Sequence, residues 1–86
     1  MKIDYNLDLI INNLDLYDLQ GLIKIILNLN PKLLKTYSEQ YIDSCTISEL
    51  EKIYKSLFCG DAIDSTDKIS VERLMLSCAR ENVIGF

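Results

Sequence analysis

Histidine and tryptophan are absent from this 86-residue chain, and it has only one proline and three glycines. Without histidine there is no ordinary general base poised near neutral pH, and the commonest zinc ligand is gone. Carboxylates and thiols are left as candidate catalysts, and no two of them form a close pair that one helix would present to a cleft. Asp15 and Asp18 come nearest, but helix capping already accounts for both. The residues therefore argue against an enzyme and against any cofactor. With so few Gly and Pro there is no linker, repeat or low-complexity stretch, and residues 1–86 read as a single helical domain.

Basic residues are also in deficit. Nine Lys and Arg against thirteen Asp and Glu leave a net charge of −4, the wrong sign for a general nucleic-acid binder or for an anionic membrane surface. Two basic pairs, Lys32 with Lys35 and Lys52 with Lys55, lie near Tyr37 and Tyr54, a local combination suited to a phosphate backbone and an unstacked base. Solvated helix edges account for them more simply. Long apolar runs are missing as well: the greasiest stretch, Leu22 to Leu29, is interrupted by Lys24 and Asn28 and is too short to span a bilayer. Asp4 and Asp8 stand where a secretory signal needs positive charge, so no export is expected. Cys45, Cys59 and Cys78 are odd in number and show no framework spacing, which points to a reducing, cytoplasmic setting and to buried thiols.

Apolar content is abundant by contrast, at 49% of residues. An 86-residue domain buries only about two thirds of its unfolded surface, so so much Leu and Ile leaves apolar area in contact with water unless a partner covers it.

The periodicity is helical throughout. Leu7, Ile10, Ile11 and Leu14 share one helix face, although Ile3, Tyr5, Leu7, Leu9 and Ile11 also alternate in strand fashion, a minority reading for residues 2–11. A second helix starts at Asp15, stapled by Leu14 and Leu19, with Leu19, Leu22, Ile23 and Ile26 inward. Ile25, Leu27 and Leu29 fall off that face, so the helix is apolar nearly all round and belongs at the centre or at an interface. Gly21 marks a weak point there, or a place where another backbone comes close.

Asn30-Pro31 opens a third helix running to about Asp43, with Leu33, Leu34, Tyr37, Tyr41 and Ile42 on its face. The clearest start is Thr46 with Glu49, a capping box flanked by Cys45 and Leu50. It introduces Leu50, Ile53, Tyr54, Leu57 and Phe58 at helical spacing. Glu51 and Lys55 form an outer i,i+4 pair, and Gly60 is expected to close this helix in the left-handed conformation. An acidic loop over 60–69 then leads to a fifth helix after Ser70, stapled by Ile69 and Leu74. Leu74, Leu76, Cys78 and Val83 face inward, and the last few residues, ending in Phe86, either fray or dock as an apolar hook.

Residues 61–73, Asp-Ala-Ile-Asp-Ser-Thr-Asp-Lys-Ile-Ser-Val-Glu-Arg between two amphipathic segments, resemble a degenerate EF-hand. Aligning Ile69 with the apolar loop position puts Ala62 first, Asp64 third and Thr66 fifth. Asp67 then falls where glycine is needed and Arg73 where a bidentate Glu must bind, so the resemblance does not extend to a calcium site. In length and in its Leu, Ile, Lys, Asn and Tyr usage the chain is also similar to small viral accessory proteins from AT-rich genomes, such as the nine-kilodalton proteins of the criniviruses. That resemblance rests on no motif and implies no site residue.

The reading is an all-α bundle of four or five short helices acting as a protein–protein interaction module. It is expected to form a homodimer through apolar residues of its first two helices, namely Leu9, Leu16, Ile25, Leu27 and Leu29. A monomeric helix-loop-helix module gripping a target helix is the first alternative. An RNA-binding regulator using the four lysines is the second.

Overall fold

The computed structural model describes residues 7–84, with side chains through Glu81. Five α-helices follow one another: α1 (Leu7–Asn12), α2 (Leu16–Leu29), α3 (Glu39–Ser44), α4 (Ile47–Cys59) and α5 (Ser65–Ile84), with a 3₁₀ segment at Pro31–Lys35. The strand reading is overturned for residues 7–11, which are helical. Ile3 and Tyr5 lie outside the described residues, as do Phe86 and the side chain of Val83. The Cα framework measures 37 × 32 × 16 Å. Its short dimension leaves room for two layers of helix at the usual spacing of about 8–10 Å.

α2 is the organising element, packing against α4, α5, α3 and the 3₁₀ segment. Asp15 caps its start. The Asp15 carboxylate accepts from the Asp18 amide at 2.8 Å, and the Asp18 carboxylate accepts from the Asp15 amide at 3.3 Å. The helix buries Leu19, Leu22, Ile23 and Ile26, as the spacing predicts, each contributing about 1.5–3 kcal/mol of apolar burial. Leu27 departs from that reading: it is 1% exposed and part of the core. Neighbours pack on several sides of α2, which widens its buried arc beyond a single face.

Leu50, Ile53, Tyr54, Leu57 and Phe58 of α4 are all buried, as the spacing predicts, whereas Ile47 in its first turn is exposed. Tyr54 stacks on Phe58 with ring centroids 5.6 Å apart, a favourable aromatic arrangement. At the start of α4 the Thr46 hydroxyl accepts from the Glu49 amide at 3.2 Å, and the Glu49 carboxylate accepts from the Thr46 amide at 2.8 Å. Gly60 ends the helix without the expected left-handed turn, since its φ is −91°. Glycine is favoured there for another reason: a Cβ would lie 2.9 Å from the Ser56 carbonyl oxygen.

The single third helix expected over 31–43 is instead two short pieces. Pro31 fits the first 3₁₀ turn, and such runs rarely extend beyond a few residues. Ser38 then restarts the chain as α3, its hydroxyl accepting from the Tyr41 amide at 3.1 Å. Of the face read for this segment, Ile42 is buried, Leu33 and Tyr37 are half-buried, and Leu34 and Tyr41 are exposed.

α5 begins at Ser65, six residues before the expected start after Ser70. Asp64 caps it, accepting from the Asp67 amide at 2.8 Å, with the same Asp-x-x-Asp spacing that starts α2. The earlier start changes the inward face. Val71, Met75 and Ala79 are buried, whereas Ile69 and Leu74, expected as a staple, are exposed. It also overturns the EF-hand geometry, because residues 65–73 of the supposed ion-binding loop are helical.

Candidate interaction surface

The inward face of α2 leaves its opposite side to be accounted for. Tyr17, Gly21, Ile25 and Leu29 recur at intervals of four, and residues so spaced stack one above another on a helix. All four are exposed, Tyr17 at 78%, Ile25 at 39% and Leu29 at 43%. They form an uncharged ridge along α2, about 6 Å between successive members at the helical rise. On α5, Leu74 is 45% exposed and stands beside this ridge, with Cys78 one turn on.

Between the two helices lies a notch of about 180 Å³, lined by Tyr17, Asp18, Gly21, Leu22, Ile25, Leu74 and Cys78. Gly21 is the low point of the ridge. A Cβ added there would meet nothing within 4 Å, so the glycine answers no crowding inside this chain, and the backbone at that point is open to approach from outside. The close backbone expected at Gly21 is thus absent within the chain itself.

Asp18 and Cys78 span the edge of the notch. Burial first, and then the charge and hydrogen bond of the Asp18 carboxylate, push the Cys78 thiol above its ordinary range, with smaller contributions from Glu81 and Asp15. A thiol held protonated is a poor nucleophile. The reading of three buried thiols therefore needs correction: Cys45 is buried, Cys78 half-buried and Cys59 exposed.

The expected interface residues divide. Ile25 and Leu29 lie on the ridge. Leu9 is exposed on α1, Leu16 is half-buried against the core, and Leu27 is in the core, where it serves packing and is closed to a partner. Sequence reasoning passed over Tyr17, read Gly21 as a weak point or a close approach without placing it in the interface, and turned Leu74 inward. The first two were legible as members of a row with spacing four. Leu74 depended on where α5 starts.

The lysines present a different picture. Lys55 bonds Asp8 of α1 and not the expected Glu51, and Asp8 and Glu51 line the same cleft as Lys52 and Lys55. The two carboxylates offset the two ammonium groups, so this edge lacks the positive field that a nucleic acid requires. Asp8 also raises the Lys55 pKa, first through the hydrogen bond and then through its charge. Lys24 of α2 is paired with Asp43 of α3 at 2.7 Å.

Among the described residues no group of His, Cys, Asp and Glu side chains is placed to hold a metal ion, and no helix is long and apolar enough to cross a membrane. No protein-family model matches the chain, and no curated protein or solved structure matches it significantly.

Proposed function

We propose that this chain is a non-enzymatic protein-interaction module of the cytoplasm that self-associates as a homodimer, with the outer ridge of α2 as its working surface. The observation that supports this reading is the uninterrupted apolar row Tyr17, Gly21, Ile25 and Leu29, bordered by Leu74, on a helix whose other sides already pack against four neighbouring elements. A contiguous exposed apolar row is unusual on a small soluble monomer and is commonly a contact surface. The absence of histidine, the raised Cys78 thiol and the capping roles of Asp15 and Asp18 favour binding over catalysis. The odd, unpatterned cysteines fit a reducing compartment. A role as a viral or host-interaction accessory protein is part of this proposal on length and composition alone.

The test is the double variant Ile25→Asp, Leu29→Asp. Two charges on the ridge should give a folded monomer by sedimentation velocity, with the helical circular dichroism of the parent. An unchanged dimer would place the interface elsewhere.

A further inference from the structure

We propose that the cleft between α1 and α4 binds a small zwitterion of the α-amino-acid class. Glu51 holds its ammonium group, Lys52 its carboxylate, and Ile11 carries its apolar side chain.

The charges of the cleft carry this assignment. It measures about 250 Å³ and is lined by Asp8, Ile11 and Asn12 of α1 and by Glu51, Lys52 and Lys55 of α4. Asp8 and Lys55 satisfy one another across the two helices. Lys55 is thereby drawn away from Glu51, the residue one turn earlier with which it would otherwise form an i,i+4 pair. Glu51 is left half-buried, and among the described residues neither it nor Lys52 is joined to an opposite charge. Once the internal pair is set aside, one carboxylate and one ammonium group remain in the recess. A ligand that is only an anion meets Glu51 as a like charge, and one that is only a cation meets Lys52. A molecule bearing both charges answers both groups. Consecutive Cα atoms are about 3.8 Å apart, so Glu51 and Lys52 rise from neighbouring points on one wall, and their flexible arms can reach two charges carried close together.

Size narrows the class further. An apolar cavity of about 150 Å³ holds benzene, and drug-sized ligands occupy about 300–1,000 Å³. The cleft falls between these, with room for a molecule somewhat larger than benzene, such as an amino acid with an aliphatic side chain. Ile11, 3% exposed, is the apolar part of the lining. Asn12 is exposed beside it and offers an amide that both donates and accepts.

A titration followed by the amide resonances of the ¹⁵N-labelled chain at fixed protein concentration tests the site, and it does so whether the chain is monomeric or dimeric. The probes are L-leucine, isoamylamine, which lacks the carboxylate, and 4-methylpentanoate, which lacks the ammonium group. Leucine should give saturable shifts at the Asn12 side chain and at the Glu51 and Lys52 backbone amides. Each single-charge probe should bind up to about fivefold more weakly, the scale of one partly solvated ion pair. In Glu51→Gln, leucine should bind no better than 4-methylpentanoate, and in Lys52→Met no better than isoamylamine, while Lys32→Met, away from the cleft, keeps the parent behaviour. Absence of saturable shifts with leucine would overturn the proposal and leave Glu51 and Lys52 as a solvated helix edge. Isoamylamine binding as tightly as leucine to the parent would overturn the zwitterion in favour of a simple cation site. Unchanged leucine binding in Glu51→Gln would place any binding outside the cleft.

Discussion

The Asn30 side-chain amide donates to the Ala62 carbonyl oxygen at 2.8 Å, joining the end of α2 to the loop before α5 across 32 positions of sequence. The bond is partly sheltered from solvent, and it fixes where α5 departs relative to α2. Asn30→Ala leaves a half-buried carbonyl without this donor, which costs about 1 kcal/mol. For a domain of this size that corresponds to a fall in Tm of about 4–8 °C. Thermal unfolding by circular dichroism checks it, and a Tm equal to that of the parent would show that water replaces the amide fully.

Leu27 and Ile25 are two residues apart, and different outcomes are expected at them. Leu27→Ala empties a fully packed site and should destabilise by about 2–5 kcal/mol, a large part of the stability available to a small domain. Ile25→Ala should cost less in the monomer, about 1 kcal/mol, because the side chain is 39% exposed. Urea unfolding of both variants at low protein concentration decides this. Equal losses would mean that Ile25 is as deeply packed as Leu27.

The caps of α2 and α4 act on separate helices. Asp15→Ala and Thr46→Ala should each cost about 1 kcal/mol. The double variant should lose close to the sum, since distant sites without shared partners add. A clearly larger loss in the double variant would mean that the two helix starts are coupled.

Lys55 with Asp8 gives a pH prediction whose sign is fixed by linkage. The lysine is raised in the folded state, so its stabilising effect is fully present below the usual lysine value of about 10.4 and fades as pH climbs through the raised value. Between pH 6 and 9 the difference in Tm between the parent and Lys55→Met should stay constant, and above that window it should shrink. The pair is solvent-exposed, so added salt should also narrow the difference. A difference that grows between pH 9 and 11 would contradict the pairing.

The thiols should react with iodoacetamide in the order Cys59, then Cys78, then Cys45. Exposure sets the first and last places, and burial together with the Asp18 carboxylate slows Cys78. Peptide mapping after timed quenching reads the order, and Cys78 labelling as fast as Cys59 would contradict the contact with Asp18.

What the sequence revealed followed from local chemistry. Thr46 with Glu49, Asp15 with Asp18, and the apolar spacing of α4 each involve neighbours in the chain, and the structure keeps all of them. Two starts were misread where competing local signals existed. Ser70, flanked by Ile69 and Leu74, was read as the start of α5, and Asp64 with Asp67, which repeats the pattern at α2, was not considered as a cap. Ser38 was left inside the single helix read from Pro31 to about Asp43, although it caps α3. Leu27 and Tyr17 failed for a different reason: which side of a nearly all-apolar helix is buried depends on how many neighbours surround it, and periodicity does not contain that information. The ridge could be seen in the sequence as a row with spacing four, but not as a surface until α5 was placed beside it.

The most direct test of the central claim is the molar mass of the reduced, unmodified chain by light scattering across a concentration series. Self-association through the α2 ridge predicts a mass near twice 9.9 kDa that falls toward one chain only on strong dilution. A mass of one chain at every concentration would contradict it.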